Sequence, residues 1–300
     1  MSETVIAVQG LTKDYGGGRG VFGLDFAVEQ GEVFGFLGPN GAGKTTTLRQ
    51  LMGFIRPDRG RASIFGMDCF SQAAAIQAQV GYLPGELALM EDMTGDQFIG
   101  FIARMKGIKD GAEAGRLCRL LELDGRTPIR KMSKGTKQKV GLVCAFMAKP
   151  RLLLLDEPTS GLDPLMQNRF VELVLEAKER GATVLLSSHL FEEVERTCGR
   201  AAILRAGRLV AVEPVEALRR GKARTLTFTL PGGAEAAGMA AAWPGARARE
   251  TRVSVTVNGP EQLQKLLALA AGLPVQDLEA RSQTLEELFL HFYGEGSEVK

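Results

Sequence analysis

Two kinds of apolar run divide the chain. Val33-Phe34-Gly35-Phe36-Leu37 and Leu152-Leu153-Leu154-Leu155 are apolar at every position, the pattern of strands buried on both faces of a parallel sheet. Residues 21–28 alternate instead, like a half-buried strand. Ahead of them, 5–8 and 11–15 predict two strands, and 16–20 is a flexible glycine turn. A helix should run from 44 to near Gly53, followed by strands at 60–66 and 80–84, the second stopped by Pro84. From 85 to about 123 the pattern turns helical, with one apolar face on Phe98, Ile99, Phe101, Ile102 and Met105 and another on Leu117, Leu120 and Leu121. Ser133 is a good N-cap for a helix carrying Val140, Leu142, Val143 and Phe146. Thr183-Val184-Leu185-Leu186 is β-prone, and 201–204 with 208–212 form a hairpin about Ala206-Gly207.

Beyond that hairpin the character changes. Residues 214–224 read as a polar linker. Then 225–230 alternate, 234–242 suit a helix, 247–250 and 252–257 suit strands, 261–271 an amphipathic helix and 274–280 a strand. Leu285, Leu288, Phe289 and Phe292 mark a last helix. The order approximates a β-α-β-β-α-β, ferredoxin-like plan. The expected architecture is therefore α/β, with a large unit at 1–213, a helical subdomain at about 85–148 within it, and a small α+β unit at 225–300.

Composition narrows the partners. Lys and Arg total 37 against 35 Asp and Glu, a net charge of +2 over 300 residues, so nothing electrostatic points to nucleic acid or an anionic membrane surface. Cys69, Cys118, Cys144 and Cys198 are scattered without the close pairs of metal sites, which suits reduced thiols in a cytoplasm. No run approaches the ~18 apolar residues of a membrane span, and the N-terminus lacks a leader pattern, so any membrane role is expected to come through a partner chain.

The chemistry starts where the first buried strand breaks. Gly38-Pro39-Asn40-Gly41-Ala42-Gly43-Lys44-Thr45-Thr46 fits the phosphate-binding pattern G-x-x-x-x-G-K-[ST]. Gly38, Gly41 and Gly43 let backbone N–H groups converge on one concavity, Lys44 adds a full charge, and the helix opening there offers its unpaired N–H groups to a β-phosphate. Thr45 would place a hydroxyl on Mg²⁺. The second buried strand ends in Asp156-Glu157-Pro158, where Asp156 would hold Mg²⁺ through water and Glu157 would polarise an attacking water. Ser133, at a helix start with Gly135 permitting close approach, is built to meet a γ-phosphate from outside. His189 ends its strand where these acids emerge. Tyr15 could stack on a purine. His291 has no metal partners and reads as packing or exposure.

These motifs, with Ser160-Gly161-Leu162-Asp163 and Ser187-Ser188-His189, stand in the order found in ATP-binding cassette (ABC) ATPases, and residues 5–212 resemble that family. The resemblance implies that Tyr15 is the base-stacking residue, that Met132, Ser133, Lys134, Gly135 and Thr136 form the signature completing a partner's site, that Asp163 is the D-loop aspartate and that His189 is the switch histidine. It implies ATP and Mg²⁺ as cofactors and a head-to-tail dimer with two composite sites. Two positions depart from the family. Gly85 followed by Glu86 stands where a Q-loop glutamine is usual, leaving Glu86 as a substitute metal contact, and Lys134 and Thr136 replace signature residues. The tail resembles the accessory domain of ABC-2-type exporter ATPases. The implied function is ATP hydrolysis driving export of an unidentified substrate through a separately encoded permease, from the inner face of the cell membrane. The apolar cluster Leu87, Leu89, Met90 and Met93 offers a docking surface for that partner. The alternative is a soluble ABC ATPase acting on ribosomes or nucleic acid.

Overall fold

The computed structural model describes residues 3–220 and 224–282. The chain divides between Val215 and Glu216 into two compact units. In the first, the elements run β1 (Thr4–Asp14), β2 (Gly20–Glu29), β3 (Val33–Leu37), α1 (Lys44–Leu51), β4 (Arg59–Ile64), β5 (Met67–Asp68), α2 (Ala73–Gln79), β6 (Val80–Leu83), α3 (Gly95–Met105) and α4 (Ala112–Leu120). There follow α5 (Lys134–Phe146), β7 (Leu152–Asp156), α6 (Pro164–Glu179), β8 (Thr183–Ser188), α7 (Phe191–Thr197), β9 (Arg200–Arg205) and β10 (Arg208–Pro214).

A six-stranded sheet in the order β10-β9-β3-β8-β7-β6 forms the centre. Its strands run parallel except β10, which returns antiparallel to β9. Every residue of β3, β7 and β8 is buried, as a strand covered on both faces requires. A second, antiparallel sheet has the order β2-β1-β4-β5. Phe26 of β2 packs on Phe34 and Phe36 of β3 at centroid separations of 5.9 and 5.3 Å, so aromatic burial joins the two sheets.

Local expectations needed four revisions. The two strands expected before the glycine turn are one strand, β1, whose register slips between Val8 and Leu11. There Gly10 takes φ +58° and gives its N–H to Asp25 Oδ1 at 2.8 Å. The strand expected through Gly66 stops at Ile64, and Phe65-Gly66 turn into β5 with both φ angles positive. Helix α2 is an addition. Met105 leaves the packed face of α3 and is 71% exposed.

The segment expected as a linker is partly built: β10 continues to Pro214, and α8 (Val215–Arg220) buries Val215 and Leu218. The second unit contains β11 (Arg224–Thr229), α9 (Gly233–Ala241), β12 (Arg247–Arg249), β13 (Arg252–Val257), α10 (Gly259–Ala270) and β14 (Asp277–Ser282). Its sheet has the order β12-β13-β11-β14 with every pairing antiparallel, the topology of the β-α-β-β-α-β plan. Leu226, Phe228, Val253, Val255 and Val257 share one face and form a core with Met239 and Leu266 of the helices. The expected last helix and His291 lie outside the described residues. Among those described, no helix is long and apolar enough to cross a membrane.

Candidate nucleotide site

The phosphate loop is shaped by what its glycines exclude. Gly43, which caps α1, has φ +106°, and a Cβ there would lie 2.6 Å from Val21 Cγ1. Gly38 keeps an ordinary backbone angle and is required for space instead, since a Cβ would stand 2.6 Å from the Leu204 carbonyl oxygen. The Gly207 N–H donates to the Ala42 carbonyl at 3.0 Å, so the β9–β10 turn braces the loop from behind. Gly41 has φ +82° with open space beyond it.

Lys44 is 5% exposed and reaches back across the loop. Its ammonium donates to the carbonyls of Gly38 at 2.7 Å and Pro39 at 3.3 Å and stands 3.0 Å from Glu157 Oε1. That last contact is an ion pair without hydrogen-bond directionality, and Glu157 Oε1 has no hydrogen-bond donor. Glu157 itself sits in the left-handed region at φ +48°, a strained placement for a residue with a Cβ. Its Oε2 lies 2.5 Å from His189 Nδ1. One carboxylate thus bridges the loop's cation and the imidazole.

Asp156 is fully buried. Oδ1 accepts from the Ser187 hydroxyl, whereas Oδ2 has no hydrogen-bond partner. The orphaned Asp156 Oδ2 is a hard oxygen donor of the kind that fits Mg²⁺, which ordinarily takes one or two protein groups plus phosphate and water. No cluster of three or more His, Cys, Asp or Glu placed to hold a metal occurs among the described residues.

Residue 86 is not part of this arrangement. The chain bends at Gly85-Glu86, which leaves Glu86 exposed, without a hydrogen bond or ion pair to another described residue. Gly85 is the residue at the acid: a Cβ there would lie 3.0 Å from Asp156 Oδ2.

The signature stretch caps α5, with Ser133 Oγ accepting from the Thr136 N–H at 3.1 Å and lying 2.9 Å from Thr136 Oγ1. Ser133 and Lys134 are exposed, and no described hydrogen bond or ion pair ties them to the phosphate loop of the same chain. The stretch packs instead on the D-loop segment, where a Cβ on Gly135 would meet the Gly161 carbonyl oxygen at 2.4 Å. Asp163 caps α6 by accepting from the Met166 N–H at 2.9 Å. Tyr15 is 47% exposed, with the Lys13 ammonium 5.9 Å from its ring centroid.

Among the buried polar residues without a role assigned from sequence, Gln138 and Glu193 reach the segments that carry Glu157 and His189. Gln138 donates to the carbonyls of Glu157 at 3.3 Å and Pro158 at 2.9 Å, tying α5 to the end of β7. Glu193 of α7 accepts from Ser188 Oγ at 2.5 Å. Burial pushes the Glu193 carboxyl up to about 7, against the Ser188 bond, and the charge of Glu157 adds to the rise. A polar residue inside an apolar helical stripe was the only sequence signal for either.

A glycine-shaped cradle, a lysine within it, a buried acid and a glutamate paired to a histidine define a P-loop nucleoside triphosphatase. The ABC transporter family model matches residues 21–160. The chain is 32% identical to the daunorubicin resistance ATP-binding protein DrrA3 of Streptomyces coeruleorubidus, across 100% of this chain and 99% of that one. It is 35% identical to the bacitracin transport ATP-binding protein BcrA of Bacillus licheniformis, covering 76% of this chain and 75% of BcrA. A solved ATP-binding subunit of an ABC transporter superposes with a TM-score of 0.66 at 34% identity, over 72% of this chain and 92% of that one. This chain belongs to the ABC transporter ATP-binding family. It is an ATPase.

Proposed function

We propose that the chain is the ATPase subunit of an ABC-2-type exporter, working as a head-to-tail dimer on a separately encoded permease at the inner face of the cell membrane. ATP closes the dimer and hydrolysis reopens it. The observation that carries the reading is a groove of about 380 Å³ lined by Tyr82, Pro84, Leu87, Leu89, Phe98 and Ile102. This groove suits the apolar face of an intracellular helix of a membrane protein. Its wall, the segment from Tyr82 to Leu87, includes Gly85 at the Asp156 carboxylate, so a partner seated there would press on the hydrolytic site. The resistance and transport roles of the DrrA3 and BcrA relatives agree with export.

Within each site the chain's residues would divide the work. Backbone N–H groups of 38–46 and Lys44 hold the phosphates, and Tyr15 stacks the base. Ser133 to Thr136 of the second copy close over the γ-phosphate, with Asp163 beside the seam. Thr45 and Asp156 would hold Mg²⁺, which neutralises phosphate charge when bound. Glu157, held by His189, orients water for in-line attack.

The test is co-purification of the full chain with its permease from membranes. A carboxylate placed in the groove by Leu87→Glu should release the ATPase from the membrane fraction while leaving ATP binding intact. Sedimentation of the unsubstituted chain with ribosomes, and none with membranes, would replace this reading by that of a soluble ABC ATPase.

A further inference from the structure

Glu193 stands at the junction of the two segments that carry the reactive pair. It is 7% exposed, on a seven-residue helix whose neighbouring Phe191 and Val194 are buried. Burying a carboxyl beside another carboxylate, here Glu157, is costly unless hydrogen bonds offset it. The bonds present are specific. Ser188 Oγ donates to Glu193 Oε2 at 2.5 Å and itself accepts from the Leu190 N–H at 2.9 Å. Ser188 and Leu190 flank His189, so the hydroxyl that Glu193 orients closes the turn presenting the imidazole. The other carboxyl oxygen, Oε1, has no hydrogen-bond partner, so Ser188 is the group to which Glu193 is tied. An alanine or leucine here would pack against the sheet at lower cost but would leave the Ser188 hydroxyl only the long contact to the Leu190 carbonyl at 3.4 Å.

We propose that Glu193 is a positioning residue for ATP hydrolysis, setting where the His189 imidazole stands against Glu157 by way of the Ser188 hydroxyl. It acts through the Ser188 hydroxyl, to which its carboxyl is bonded, rather than on the reacting atoms. Its effect is on the direction from which Nδ1 meets Glu157 Oε2, at the 2.5 Å separation observed. Because the needed group is an acceptor for Ser188, a carboxamide oxygen can replace the carboxylate.

The test compares Glu193→Ala, Glu193→Gln, Ser188→Ala and the Glu193→Ala/Ser188→Ala pair in the full chain, by steady-state ATPase assay and by ¹⁵N spectra of the histidine rings. The chain has two histidines, and a His291→Gln background assigns the His189 signals. Glu193→Ala is expected to lower kcat about tenfold or more with KM for ATP within about twofold, since only the hydrolytic geometry is disturbed. Glu193→Gln should return kcat to within about threefold of the unsubstituted chain. Ser188→Ala should match Glu193→Ala, and the pair should be no worse than either alone, the non-additivity of residues acting through one turn. The His189 Nδ1 resonance should move in both alanine variants and stay in place in Glu193→Gln. Full activity in Ser188→Ala, an unmoved Nδ1 resonance, or Glu193→Gln as impaired as Glu193→Ala would each overturn the proposal. If Glu193→Ala does not fold, Ser188→Ala and Glu193→Gln decide it.

Discussion

The Lys44 ammonium lies 3.0 Å from Glu157 Oε1, so the phosphate loop and the hydrolytic end of β7 are joined by an ion pair within one chain. On the proposed reading, an arriving γ-phosphate would compete with Glu157 for that cation, and nucleotide entry would thereby free the carboxylate for water.

Lys44→Ala removes the cation and is expected to weaken ATP binding by at least about tenfold, the cost of losing one charge-assisted phosphate contact. Titration with a fluorescent ATP analogue measures it. Retention of the original affinity would contradict the cradle as described.

Glu157→Gln keeps every phosphate-binding group and removes the charge facing His189 and Lys44. ATP should still bind, turnover should fall by about 100-fold or more, and a closed dimer should accumulate. Size-exclusion chromatography with ATP and Mg²⁺ reports the dimer. A monomer alone under those conditions counts against a composite site.

Gly135→Ala should be costly although alanine favours helices. Its Cβ would stand 2.4 Å from the Gly161 carbonyl oxygen, a backbone atom that cannot step aside without moving the D-loop segment. We expect a loss of about 1–3 kcal/mol, read by denaturant titration, together with reduced ATPase activity. Lys134→Ala, whose side chain is exposed, should leave stability nearly unchanged.

Glu193 makes stability depend on pH in an identifiable direction. Its carboxyl is raised from 4.5 to about 7, so the folded chain holds a proton that the unfolded chain releases over that interval. Its contribution is fully present below about pH 4.5, declines as pH rises to about 7, and is then lost, a change of roughly 3 kcal/mol. Glu193→Gln cannot titrate. Its melting temperature relative to the unsubstituted chain should therefore rise between pH 5 and pH 8, and parallel melting curves across that range would refute the assignment.

What the sequence disclosed follows from burial. Strands β3 and β7 were readable because burial on both faces leaves no polar position to confuse the pattern, and the groups at their ends were readable because phosphate chemistry admits few residue types at fixed spacing. Helix α2 was not, since Ile76 is its only buried residue and one residue makes no stripe. Nor was the slip in β1, where a single glycine changes register. Gln138 and Glu193 left only a faint signal for a related reason: polar side chains in amphipathic helices are usually solvated. Their partners become evident only when the helix is placed against β7 and the His189 turn. Glu86 illustrates the reverse, because its charge suggested a metal contact, while the bend at 85–86 leaves it exposed and Gly85 against Asp156.

Helix α5 begins at an exposed Ser133 and, five residues on, uses Gln138 to grip the carbonyl of Glu157. In the proposed dimer that single rod is wired to two reaction centres: its tip reads nucleotide held by the second copy, while its body steadies the glutamate of its own. Occupancy of one centre is then a mechanical input to the other, so the two turn over in correlation, and hydrolysis plotted against ATP concentration should rise with a Hill coefficient above one.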